Sequence, residues 1–391
     1  MAKTIEGTAV FDGSTTLAHS LRAVSTLRLV LGLTALLGAI VFLEGTSWDI
    51  QWHSLIGRDR TLIPPHIMML SGVALSGISG LLTVLIESWW ARRNKIIAQY
   101  SVGFAEIFSG PLGAYIVGYT ALTAAVAFPL DAYWHALYGI DVAIWAPFHV
   151  MFVASMGIVA LGAAYMLSSA AHLAARIDMA GSGTRRAATL GVVLATVLSL
   201  FTLLLFDALK DKNFINLGFL SINVFPLLSG ILVAFTLVAA ASAIPWRWAA
   251  TSVGVCYLLL AGIMAVFVQP ATDWLLSVER LSYRENPPFT SLVALEWFLT
   301  PLVVAILIDV IMHRARRKQW SQRKLTLMLA LTALLSGTLP VVFIFPLLPV
   351  ALALQLGIAG SLASLLLGLA GTYLGTVFGR NVGVSINSLE R

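Results

Sequence analysis

Residues 65–86 read PHIMMLSGVALSGISGLLTVLI, with no Lys, Arg, Asp or Glu among them. A helix rises about 1.5 Å per residue, so a run of roughly 20 apolar residues crosses the ~30 Å hydrocarbon core of a bilayer. Lipid offers the backbone no hydrogen-bonding partner except itself, so serine and glycine inside such a run do not argue against a helix. Comparable runs lie at 24–44, 102–127, 147–170, 188–206, 222–243, 248–268, 290–312, 325–345 and 350–378, which predicts about ten transmembrane helices. Composition agrees: 59% of residues are hydrophobic, 11% are charged, and the mean hydropathy is +0.91. The expected fold class is an all-α, polytopic membrane helix bundle whose first non-protein partner is the lipid bilayer.

The stretch leading into this span, residues 49–66, reads DIQWHSLIGRDRTLIPPH, and it returns rewritten at residues 131–149 as DAYWHALYGIDVAIWAPFH. Asp49, Trp52, His53, Gly57 and Asp59 match Asp131, Trp134, His135, Gly139 and Asp141, and each copy closes with a proline shortly before a final histidine. Residues four apart share a helix face, so Asp49 with His53, and Asp131 with His135, can offer oxygen and nitrogen to one ion. Pro64 and Pro65 suit the first turn of a helix, where the backbone N–H groups have no acceptor, and they place His66 there; Pro147 does the same for His149. Two three-ligand metal sets follow, Asp49, His53 and His66 beside Asp131, His135 and His149. Two histidines and a carboxylate can hold copper, iron or zinc with open positions left over, and geometry alone does not name the metal. Trp52 and Trp134 read equally well as membrane-interface aromatics and as walls of a metal pocket. Arg58 beside Asp59 reads as an interfacial pair that orders the loop.

Each unit is flanked by two spans, so helix, ligand loop, helix is a tandem repeat. An even number of spans per copy places both copies in the membrane in the same sense, as a pair related by an axis along the membrane normal. Basic residues concentrate in alternate loops, thirteen Lys and Arg in the even-numbered against six in the odd-numbered ones. This predicts a multi-pass protein of the cell membrane with both termini cytoplasmic and the metal-site loops on the extracytoplasmic side. The net charge of +6 is accounted for by these topogenic residues, and no nucleic-acid partner is expected.

The chain therefore divides into a cytoplasmic N-terminal segment (1–23), a metal-site membrane domain of two parallel hairpins (24–187) and additional transmembrane helices of unknown role (188–391). Within 188–391, Asp273-Trp274 followed by Pro287-Pro288-Phe289 faintly echoes the repeated unit without its histidines. The polar first twenty residues carry no cleavable signal pattern. The single cysteine, Cys256, cannot make an intrachain disulfide. Glu44, Glu87, Glu106, Glu296 and Asp309 fall in or at the ends of apolar runs, where charge is costly; they read as residues at the headgroup level or, for Glu44 and Glu106, as groups that support the metal or carry protons. His19, His172 and His313 lie among polar or basic residues and are expected to be exposed.

In its repeated units the chain resembles the C subunit of the copper membrane monooxygenases, which include particulate methane monooxygenase and ammonia monooxygenase. That family's Asp-x-x-x-His-x12-His copper site, with its Trp-His, Arg-Asp and Pro-x-His context, is matched by Asp49, Trp52, His53, Arg58, Asp59, Pro64 and His66. Its Asn-x-x-x-His-x13-His site is matched in spacing by His135 and His149, with Asp131 where the family has Asn and Ile140 where the first unit has arginine. The resemblance covers residues 40–170 only. It implies copper as cofactor and further copies of the chain or other monooxygenase-like subunits as partners. The implied reaction is activation of dioxygen at the outer face to oxidise a small or lipid-soluble substrate.

Two other readings stand beside this one. A membrane metal transporter or metal-delivery protein would use the same triads to bind a cation in passage, but should also carry a polar path across the midplane. Structural hairpins whose Asp and His simply bond one another would use no metal.

Overall fold

A computed structural model describes residues 8–57, 60–139, 146–177, 183–204, 214–284, 286–293, 300–344 and 347–388. Among these are eleven helices: α1 (Thr8–Leu55), α2 (Pro64–Ala91), α3 (Lys95–Gln99), α4 (Leu112–Tyr138), α5 (Pro147–Arg176), α6 (Gly183–Leu204), α7 (Phe225–Ala243), α8 (Ala249–Glu279), α9 (Thr300–Arg317), α10 (Gln322–Ile344) and α11 (Leu348–Ser388). The only strands among the described residues form two small antiparallel hairpins, β1 (Val102–Phe104) with β2 (Phe108–Gly110) and β3 (Phe214–Asn216) with β4 (Ser221–Asn223). The all-α membrane class holds. Seven helices, drawn from α1, α2, α4, α5, α7, α8 and α11, are long and apolar enough to cross a bilayer. The expected runs at 188–206, 290–312 and 325–345 overlap α6, α9 and α10, the second run having a non-helical start at 290–291 before α9 begins at Thr300.

The third run does not begin at residue 102. Residues 102–110 form the β1–β2 hairpin, and its turn places Ala105 and Glu106 in the left-handed region (φ 51° and 61°). Glu106 is exposed on that turn rather than set within a span.

Small residues determine which helices touch. A side chain at Gly38 would strike Ser76 and the carbonyl of Gly72 on α2, and one at Gly72 would strike Gly38 and Phe42 on α1. Gly80 packs on Gly118 and Ala114 of α4, and Gly113 on Gly162 of α5. Lipid tails are as apolar as leucine, so close backbone approach and buried hydroxyls are what hold such helices together. Ser76 donates to the Ala35 carbonyl and Ser79 to that of Leu31, each at 3.0 Å. With α5 also packed on α1, the hairpins α1–α2 and α4–α5 lie side by side as one four-helix unit.

Helix α6 packs on α5 and α1, and α8 on α1 and α6, so one buried apolar cluster runs through both halves of the chain. Helix α11, interrupted at Gly357 (φ 66°, ψ 178°), lies along α7. Here Gly371, Gly375, Gly379 and Gly383 repeat every fourth residue against the carbonyls of Leu227, Ile231, Phe235 and Ala239, and an added Cβ at any of the four would overlap its partner.

Opposite the ligand end, Arg28 and Glu87 form an ion pair at 0% side-chain exposure. Arg28 donates to Glu87 Oε1 at 2.6 Å and Oε2 at 3.0 Å, to the Tyr100 carbonyl at 2.7 Å, and to Ser169. Ser101 donates to Glu87 Oε1 at 2.6 Å. Buried charge of this kind is tolerable only when paired and fully hydrogen-bonded, and this network ties α1, α2 and α5 together.

Candidate metal centre

Helix α1 ends at Leu55, and its last two turns carry Asp49 and His53 on the side facing the start of α2. There Ile63 is the N-cap in extended conformation (φ −83°, ψ 156°), with Pro64 and Pro65 in the first turn and His66 immediately after. The fixed φ of proline and its missing N–H suit these positions. Helices α4 and α5 repeat the device, with Asp131 and His135 in the last turns of α4, and Pro147 and His149 opening α5.

Each triad closes on its carboxylate. Asp49 Oδ1 lies 3.4 Å from His53 Nε2 and 3.0 Å from His66 Nε2. In the second unit Asp131 Oδ2 lies 3.3 Å from His135 Nε2, and Asp131 Oδ1 lies 3.4 Å from His149 Nε2. The donor atoms of each set all fall within 4.8 Å of one another. Two ligand atoms bound at about 2.0–2.1 Å and subtending 90–110° at a metal sit about 2.8–3.4 Å apart, so the oxygen–nitrogen separations are those of ligands sharing an ion. Asp49 Oδ1 and Asp131 Oδ1 are both buried, with these imidazole nitrogens as their polar neighbours.

One outer nitrogen in each unit agrees. His66 Nδ1 lies 3.2 Å from the Thr61 carbonyl, and His135 Nδ1 lies 3.1 Å from the Gly139 carbonyl. A carbonyl only accepts, so Nδ1 carries the proton and a neutral ring turns the Nε2 lone pair toward the carboxylate oxygen. Two lone-pair atoms facing each other repel unless a proton or a cation lies between them. A metal-binding histidine typically has this arrangement, its other ring nitrogen donating to a backbone carbonyl.

All six expected ligands are thus assembled, in two groups of three. Trp52 is a core residue at 2% exposure, and its carbonyl accepts from Ile56 and Gly57 at the helix end. Trp134 instead packs on Tyr138 at 4.4 Å and on Phe148 at 6.0 Å between ring centroids. Arg58, Asp59, Asp141 and Glu296 lie outside the described residues. Beside the first centre, His66 meets Phe128 edge-on at 6.0 Å, and Phe128 meets Phe152 at 6.1 Å.

The units differ in what holds them. The 281–284 segment reaches over the first, where Arg284 N donates to the Leu55 carbonyl at 3.0 Å and Arg284 Nη2 to the Gly57 carbonyl at 3.3 Å. Arg60 pairs with Glu279. The faint echo at Asp273 belongs to the same region: its carboxylate accepts from Tyr283 at 2.5 Å and Gln269 at 3.2 Å, in place of imidazoles.

Of the other histidines only His19 is exposed; His172 and His313 are half-buried. Asp309 accepts from Ala250 N, Thr251 N and Thr251 Oγ1 at 2.7–3.2 Å and so caps the start of α8. The Arg28–Glu87 network and the glycine row of α11 were not expected. An arginine inside the first apolar run, and glycine at every fourth position from 371 to 383, are the signals that could have found them.

Comparison of the chain with protein-family models, with curated proteins and with solved structures returns no match. The likeness to the copper monooxygenase subunit therefore rests on the two units alone.

Proposed function

We propose that this is a ten-span membrane protein with two metal centres at the outer ends of its N-terminal hairpins, and that it oxidises a small or lipid-soluble substrate with dioxygen in the manner of the copper membrane monooxygenases. The observation that supports it most is the convergence of imidazole Nε2 atoms and a buried carboxylate oxygen at ligand spacing, twice, with the outer ring nitrogen held by a backbone carbonyl in each unit. Ten spans follow if α6, α9 and α10 cross along with the seven helices already long and apolar enough to do so. The outward placement follows from the charge of the alternate loops.

Copper held there would supply one-electron redox chemistry and a binding position for dioxygen. The chain's own part is to hold the ligands. Asp49 offers a hard, anionic oxygen and offsets cationic charge, while His53 and His66 present neutral nitrogen. The Thr61 carbonyl fixes the His66 tautomer, and Phe128 gives the first centre an apolar wall.

The metal-transport reading requires a polar route across the midplane. The hydroxyls below His66 on α2, those of Ser76 and Ser79, are bonded to α1 carbonyls and act as interhelical contacts instead. Delivery of a metal from a fixed site remains the alternative. Copper-loaded protein in nanodiscs, supplied with a quinol reductant, should consume dioxygen, and His53→Ala should abolish the uptake. Stoichiometric copper without reductant-dependent uptake would favour delivery over oxidation.

A further inference from the structure

Helix α1 carries a second polar face, turned away from α2. Glu44, Ser47, Trp48 and Gln51 fall at i, i+3, i+4 and i+7 and so share one side of the helix. The last three all meet α8 or the segment after it. Ser47 Oγ lies 3.0 Å from Ser291 Oγ, the Trp48 ring packs edge-on against Phe267 at 5.8 Å, and Gln51 Nε2 donates to Gln269 Oε1 at 2.7 Å. Gln51 Oε1 accepts from Leu292 N at 3.2 Å. From Gln269 the polar contacts continue to Tyr283 at 2.8 Å and to the exposed Asp273. Burial and the accepting Asp273 carboxylate push the Tyr283 phenol up to about 12, so at neutral pH it remains a hydroxyl. The seam is therefore polar from the surface at the ligand end down to Ser47.

Glu44 lies one turn deeper. It is 4% exposed, and neither of its carboxylate oxygens has a hydrogen-bond partner. Trp48 Nε1, one turn above on the same face, is a buried donor without an acceptor. Donor and acceptors orphaned together point to something small and polar between them, since buried polar groups left without protein partners are characteristically bridged by water.

The charged and titratable groups around Glu44 do not pair with it. Asp49 and His53 lie on the other face of α1, and α2 contributes His66. Helix α5 contributes His149 and Tyr165, α8 contributes Asp273 and Tyr257, and α6 carries only Arg185 and Arg186, at its start. None of these makes a hydrogen bond with either carboxylate oxygen of Glu44. A carboxylate in lipid without a counter-charge is far more costly than the neutral acid.

We propose that Glu44 is a proton-binding site within the membrane, reached from the ligand end of the bundle through the polar seam between α1 and α8. The step is simple protonation: a hydronium ion entering by way of Gln269, Gln51 and Ser47 gives its proton to a Glu44 oxygen and leaves as water. It does not depend on the metal reading, because it uses the opposite face of α1. The test is infrared difference spectroscopy on the full chain, stripped of metal with chelator and held in nanodiscs. Wild-type protein should show a carboxylic-acid C=O band that shifts on ¹³C-glutamate labelling and in D2O. The band should be lost in Glu44→Gln, and in Gln269→Leu it should remain but exchange in D2O several-fold more slowly. Absence of a labelled acid band from wild type, which needs no variant to fold, would overturn the proposal. So would persistence of the band in Glu44→Gln, or unchanged exchange in Gln269→Leu.

Discussion

His66 at the start of α2 holds its Nε2 3.0 Å from Asp49 Oδ1 at the end of α1, while its Nδ1 faces the Thr61 carbonyl. A single imidazole thus joins two helix ends and the loop between them, so binding and local order are coupled at this point. Removing the ring should loosen the loop as well as weaken the site. His66→Ala is expected to raise amide hydrogen exchange through residues 56–63, and metal should restore protection in wild type but not in the variant.

The second centre should choose metals differently from the first. Asp131 brings a carboxylate where the copper monooxygenase site it resembles in spacing has a neutral amide, which favours a divalent ion over soft cuprous ion. Protein loaded with copper and then zinc should show zinc at the second centre by anomalous scattering, and Asp131→Asn should shift that centre toward copper. Equal copper occupancy in both proteins would show that this residue does not tune the choice.

The α7–α11 seam should be intolerant of even one methyl group. Gly375→Ala places a Cβ against the Ile231 carbonyl, an overpacking that costs about 1–3 kcal/mol, whereas a Cβ at Gly262 meets nothing within 4 Å. Thermal melts of the purified protein should fall for Gly375→Ala and stay level or rise for Gly262→Ala.

Breaking the buried pair at the opposite end should be worse than replacing it. Glu87→Met leaves Arg28 uncompensated and is expected to cost about 3–5 kcal/mol, while Arg28→Met with Glu87→Met should recover much of the loss. A double variant as unstable as the single one would mean that the surrounding bonds to Ser169 and Tyr100, rather than the ion pair, carry the stability.

Those two unexpected features mark where the sequence stops being readable. The triads were legible because proline fixes its own backbone, so Pro64-Pro65-His66 and Pro147-Phe148-His149 placed a histidine in the first helical turn without knowledge of any partner. The partner of Arg28 was not legible: Glu87 lies on another helix, and only packing brings them together. The start of α4 was misplaced for a related reason. The hydropathy of residues 102–110 suits a span, but the left-handed turn at Ala105 and Glu106 is a backbone property that hydropathy does not carry. Polar seams such as Ser47–Ser291 are invisible until the helices are paired, because either serine alone is ordinary in a transmembrane run.

Sidedness is open to direct labelling. In a Cys256→Ser background, cysteines at the exposed positions 54 and 136 should react with an impermeant thiol reagent added to intact cells, and one at Ser321 should not. Labelling at Ser321 alone would invert the topology.

Metal content per chain reports whether the two triads bind metal. Purified, folded protein should hold two ions, His53→Ala and His135→Ala one each, and the double variant none, measured by plasma mass spectrometry after gel filtration. A folded double variant that retains the wild-type metal content would mean that the triads do not hold the metal.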